Sequence, residues 1–153
     1  MTSKQDFTPE EWELVREGPP SAGLLVITAQ HGGTFRETVS MAKAYGEARQ
    51  QHGQSQLLDE IVAAKPEVDH SRYGSKEELK THLLAHLRDA SALLAGKATP
   101  QEVEEYKGFI VTLANRVASA HREGGGQDPV SGPEREAIGE IDTSLGCAAP
   151  AAA

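Results

Sequence analysis

The chain has 153 residues, enough for one domain and too few for two ordinary ones. Fifteen Lys and Arg stand against 23 Asp and Glu, a net charge of −8, which disfavours nucleic acid and anionic membrane surfaces as partners. Aromatic residues are 5% and there is one cysteine, Cys147, so the core is expected to be aliphatic, with no internal disulfide and no CxxC zinc pair.

One start signal recurs along the chain. In a capping box, a Ser or Thr hydroxyl accepts from the backbone N–H three residues on, and a Glu there accepts from the Ser or Thr N–H in return. The pattern stands at Thr8-Pro9-Glu10-Glu11, Thr34-Phe35-Arg36-Glu37, Ser75-Lys76-Glu77-Glu78, Thr99-Pro100-Gln101-Glu102 and Ser131-Gly132-Pro133-Glu134. Proline fills the first helical position in the first and fourth, where its missing N–H costs nothing. Gly18, Gly32, Gly53, Gly96, Gly124 and Gly146 each follow a helix-compatible stretch and read as C-terminal stops.

Seven helices follow from these signals. The first is short, Pro9 to Glu17, anchored by Phe7 and Trp12, with Gly18 as its stop. The second runs from about Pro20 to Gln30. Its apolar run Leu24-Leu25-Val26-Ile27-Thr28 is also compatible with a buried strand, but no partner strand is visible, and a lone strand cannot satisfy its backbone groups. The third spans Phe35 to about His52, and the fourth Ser55 to Ala64, ahead of Pro66. The fifth, Lys76 to Ala95, carries Leu79, Leu83, Leu87, Ala90 and Leu94 at steps of three and four. The sixth, Pro100 to Arg122, repeats that stripe in Val103, Tyr106, Ile110, Leu113, Ala114 and Val117. The seventh, Pro133 to Leu145, has Ala137, Ile138, Ile141 and Leu145. Each stripe must bury one face. Val68 to Gly74 and Glu123 to Gly132 read as polar or glycine-rich connections.

The expected architecture is a compact all-α bundle of about seven helices, with residues 76–95 and 100–122 as a long antiparallel pair at the core. Residues 1–146 form the domain, and 147–153 a disordered Ala-rich tail. The longest apolar run, Ala22 to Ala29, is far short of the ~20 residues of a membrane span. Met1 to Asp6 lack an apolar leader, and the single thiol fits a reducing compartment, so a cytoplasmic setting is expected.

Few residues suggest chemistry. His82 and His86 lie four apart on the fifth helix with Glu78 one turn earlier, a stripe that can chelate a divalent ion. The same spacing also fits two histidines at a packing edge. The HExxH peptidase pattern is absent, because Leu83 follows His82. The connection Glu67 to Tyr73 is dense in ionisable groups. An enzyme site around Asp69, His70 and Tyr73 is one reading and a solvated linker the other. Gln30-His31-Gly32-Gly33-Thr34 precedes a helix and could hold an anion, but lacks the lysine of a phosphate loop. A stop followed by a start accounts for it as well. His121 falls in line with the sixth helix's apolar stripe, and Cys147 has no neighbouring base to activate it. The acidic pairs Asp59-Glu60, Glu77-Glu78, Glu104-Glu105 and Glu140 with Asp142 mostly suit helix surfaces and first turns. Between helices, such pairs could also make a weak cation site.

Phe7-Thr8-Pro9-Glu10-Glu11-Trp12, Ala22-Gly23-Leu24-Leu25 and Ser131 through Gly146 resemble a set of small bacterial all-helical proteins of unassigned function. Those proteins open on an F-T-P-E-E-W-like segment and close on a capped helix. The closing helix, Glu134 to Gly146, also resembles helices of the tellurite-resistance TerB-like bundles, a likeness that implies a helical protein linked to metal stress. Neither resemblance carries a site residue. The functional expectation is a non-enzymatic cytoplasmic protein, of interaction or stress-associated type, with a protein partner or self-association. The alternative is a divalent-metal-binding bundle using Glu78, His82 and His86.

Overall fold

A computed structural model describes residues 2–29, 34–50, 56–63, 75–120 and 132–146. A short 3-10 turn, Lys4–Asp6, leads into six α-helices: α1 (Pro9–Ala29), α2 (Thr34–Gln50), α3 (Gln56–Ala63), α4 (Lys76–Lys97), α5 (Pro100–Ala120) and α6 (Gly132–Leu145). Among the described residues there is no strand. Leu24 to Thr28 are helical, and Leu25, Val26 and Ile27 are buried. No helix among the described residues is long and apolar enough to cross a membrane.

The helix count is six where seven were expected. The first two predicted helices are one, and α1 runs straight through Gly18-Pro19-Pro20. Proline inside a helix removes an N–H and crowds the carbonyl four residues back. The freed acceptors here are Val15 O, opposite Pro19, and Arg16 O, opposite Pro20. Neighbouring helices supply donors for this stretch. The Tyr106 hydroxyl on α5 donates to Val15 O at 2.8 Å, and His86 Nε2 on α4 lies 2.8 Å from Leu14 O. Gly18 permits the tyrosine to approach: a Cβ at that position would lie 1.9 Å from the Tyr106 oxygen. The glycine read as a stop is therefore a packing residue. Gly96 also sits inside its helix, since α4 reaches Lys97. Gly146 is a true terminator, in the left-handed region at φ +73, with its N–H donating to Thr143 O at 3.1 Å.

The start signals hold where their side chains are described. The Thr8 N–H donates to Glu11 at 2.9 Å and the Glu11 N–H to the Thr8 hydroxyl at 3.1 Å. Thr99 and Glu102 exchange the same pair of bonds at 3.0 and 3.2 Å, and the Glu78 N–H donates to Ser75 at 3.1 Å. The boxes at Thr34 and Ser131 involve side chains outside the described residues.

Every position of the α4 and α5 stripes named from the sequence is buried. α1 packs against both α4 and α5 more extensively than those two pack on each other. The proline-containing helix is thus the centre of the core, and α6 and α2 also lean on it. Polar ties fix the periphery. The Ser40 hydroxyl donates to Arg116 O at 3.1 Å, and Arg116 pairs with Glu47, joining α2 to α5. Arg49 Nε donates to Val62 O at 2.6 Å, closing the end of α3. Lys80 pairs with Glu140 at 2.8 Å and the Ser91 hydroxyl donates to Leu145 O at 3.2 Å, binding α6 to α4.

Residues 2–8 act as a strap. The Thr2 N–H and hydroxyl donate to the Glu102 carboxylate at 2.9 and 2.7 Å. The Lys4 N–H donates to Glu60 on α3 at 2.8 Å. Lys97 Nζ donates to Asp6 O and to Glu11, at 3.0 and 2.8 Å, and sits over the Phe7 ring. Phe7 in turn packs on Trp12, with ring centroids 5.8 Å apart. The two aromatics picked out as anchors are both buried here.

Candidate functional site

The expected metal stripe on α4 is spread along the helix surface. Glu78 is exposed in the first turn, where its N–H is taken by Ser75. His82 is exposed, while His86 is half-buried with Nε2 engaged at Leu14 O. Among the described residues no group of three or more His, Cys, Asp or Glu could hold a metal ion. Asp69, His70 and Tyr73, the segment Gln30 to Gly33, His121, Cys147 and the tail to Ala153 lie outside the described residues.

The acidic pairs separate by role. Glu60 and Glu140 anchor the strap and α6. Asp142 has its carboxyl pushed up by burial. Asp59 and Glu105 take a different place, on facing walls of a cleft between α2, α3 and α5. Its volume is about 300 Å³, and its lining is Ala48, Leu58, Asp59, Glu105, Gly108, Phe109 and Thr112.

The cleft follows from side-chain size. Ala48 on α2 and Gly108 and Thr112 on α5 are too small to close the space between the helices. Gly108 is exposed, and a Cβ there would meet nothing within 4 Å. Packing against the fold does not account for this glycine, which costs a helix interior roughly 1 kcal/mol relative to alanine. Phe109 makes the floor and packs edge-on against Tyr45 of α2, with centroids 5.4 Å apart. Leu58 brings α3 in as the third wall.

Two polar atoms in this region are shielded and have no hydrogen-bond partner among the described residues, Tyr45 Oη and Glu105 Oε2. Burial pushes the Tyr45 phenol well up, against the opposing pull of Arg16 and Arg49. The other Glu105 oxygen accepts from Gln101 Nε2 at 3.1 Å. A carboxylate oxygen shielded from water without a donor is costly to leave uncompensated. The cleft therefore has an apolar floor, two acidic walls and an open place above Gly108.

In the sequence the two carboxylates stand out only as members of the acidic pairs Asp59-Glu60 and Glu104-Glu105. The signal that distinguishes them is steric: Ala48, Gly108 and Thr112 are small at positions flanking the buried stripes, on helices far apart in the chain. No family model matches this chain, and no curated protein and no solved structure shows significant similarity to it.

Proposed function

We propose that this chain is a non-enzymatic helical binding protein that receives part of a protein partner in the α2–α3–α5 cleft. The observation that carries this reading is the cleft itself, about 300 Å³ between three helices, with an apolar floor and polar walls. Its volume is at the low end of the range for ligand sites, which favours a single side chain over a large cofactor. Its lining suits recognition, with an apolar floor for contact area and a few polar groups for orientation. Val39 is the one large hydrophobic residue exposed among the described residues.

Filling the cleft tests the reading. The Cβ of Gly108→Leu meets nothing within 4 Å and the position is exposed, so the fold should survive. Proteins cross-linked to the wild-type chain in native lysate, identified by mass, should be lost with Gly108→Leu and kept with a distant surface change such as Ala92→Ser. Equal recovery on both variants, or light scattering showing self-association unaffected by Gly108→Leu as the only interaction, counts against a partner in the cleft.

A further inference from the structure

We infer that the strap sets the width of the cleft, bracing α3 against α5 so that its release lets the wall carrying Leu58 and Asp59 move away from α5; this rests on the cleft being the binding site. α3 has 8 residues, well below the length that holds in water unaided, and it leans on α2 more than on α5. Its C-terminal end is tied to α2 through Arg49 and Val62 O. The strap supplies a polar link across to α5. One arm is the Lys4 N–H, which donates to Glu60 on α3, beside Asp59 of the cleft wall. The other is Thr2, whose N–H and hydroxyl donate to Glu102 on α5, one turn before Glu105. Each arm ends on a carboxylate that its own helix also grips: Gln56 Nε2 donates to Glu60 at 2.9 Å, and the Thr99 N–H to Glu102 at 3.0 Å. Between and beyond the arms the strap is stiff. The Ser3 N–H donates to Asp6 at 2.8 Å, the Asp6 N–H to Ser3 O at 3.0 Å and the Phe7 N–H to Lys4 O at 3.2 Å. Lys97 holds Asp6 and Trp12 packs on Phe7, so the arms can let go without opening the core. Such a brace works in series: losing either arm frees α3 from α5, and losing the second adds nothing.

The test cuts one arm with proline. Ser3 is extended, at φ −137 and ψ 171, as the residue before a proline prefers to be, and Lys4 opens the 3-10 turn, where proline's fixed φ fits. Lys4→Pro therefore removes the N–H that meets Glu60 and leaves the turn, whereas Lys4→Ala keeps that N–H. Two NMR readouts on the labelled full chain need no partner. One is hydrogen exchange at the Glu60, Ile61 and Val62 amides. The other is relaxation of the part-buried Leu58 methyls and Phe109 ring by the dissolved nitroxide TEMPOL. Losing a hydrogen bond to a charged group should speed α3 exchange about tenfold in Lys4→Pro, with Leu87 of α4 unchanged, and raise the nitroxide effect at Leu58 and Phe109. Lys4→Ala should match the wild type. Thr2→Val should act in the same direction alone and add nothing to Lys4→Pro. Unchanged α3 exchange in Lys4→Pro, an equal response in Lys4→Ala, or a Thr2→Val effect that adds in full overturns the brace. Faster exchange with no gain in nitroxide access overturns the strap as the gate of the cleft. None of these results turns on what binds, so the Gly108→Leu capture experiment judges the binding site separately.

Discussion

Tyr106 and Gly18 should behave as one unit, and a double-mutant cycle measures the coupling. Tyr106→Phe removes the donor from Val15 O, whose residue is fully buried. Pro19 leaves that carbonyl no helical N–H to fall back on. A buried acceptor left unsatisfied costs about 1–3 kcal/mol, which for a domain of this size lowers Tm by roughly 4–8 °C at the middle of that range. Gly18→Ala places a Cβ 1.9 Å from the Tyr106 oxygen and 3.1 Å from Cζ. The phenol or the backbone of α1 must then move, a loss of about 3 kcal/mol, and the gain in helix propensity of about 1 kcal/mol does not offset it. In the Tyr106→Phe background the 1.9 Å clash is gone and the 3.1 Å contact remains. The double variant should therefore be more stable than the sum of the singles by about 1–2 kcal/mol. Urea unfolding followed by circular dichroism at constant m gives all four values. Additivity within about 0.5 kcal/mol would refute the account of how α1 crosses its prolines.

Other substitutions separate the glycines by what surrounds them. Gly108→Ala should stabilise the chain by about 0.5–1 kcal/mol in the same unfolding assay, because its Cβ meets nothing within 4 Å. Gly23→Ala puts a Cβ 2.5 Å from Met41 Sδ; methionine can shift, so a net change within about 1 kcal/mol is expected, whereas Gly23→Val should cost several times more. On α4, His86→Ala should lose about 1 kcal/mol with its bond to Leu14 O, and exposed His82→Ala should stay within about 0.5 kcal/mol. Glu102 predicts an acid limb. Burial acts to raise its carboxyl, but the Thr99 N–H, the Thr2 hydroxyl and N–H and the Thr99 hydroxyl outweigh burial and bring it from an ordinary 4.5 to about 2. The folded value lies below the unfolded one, so the stabilisation is complete above pH 4.5 and lost as pH falls toward 2. It amounts to about 3 kcal/mol at most, and Glu102→Gln should flatten that limb of the stability–pH curve.

Helix positions were legible wherever a polar start and an apolar period agreed. α4 and α5 show both, and their named stripes are the buried faces. Phe7 and Trp12 were legible because a large aromatic beside a helix start has few places to go but inward. The continuity of α1 was not legible. Gly18-Pro19-Pro20 carries every local mark of a break, and what overrides them lies on another helix, in Tyr106, whose hydroxyl takes the carbonyl that Pro19 frees. The cleft was hidden for a related reason. An empty space is a relation among Ala48, Leu58, Gly108 and Phe109, and none of them is unusual alone. Glu105 differs from Glu104 only in facing α3 rather than water, a distinction that appears once the helices are placed.

The proline pair also bears on synthesis. α1 leaves the ribosome first among the helices, yet the group that meets Leu14 O lies 72 residues downstream and the one that meets Val15 O lies 91 downstream. Until α5 has been translated, the two halves of α1 are short coils joined at a weak point, each near the length at which a helix is marginal in water. The central element of the core is then completed only after translation has passed Tyr106. Pausing the ribosome before that codon should leave nascent chains that a protease cuts near Gly18, and pausing well after α5 has emerged should protect them.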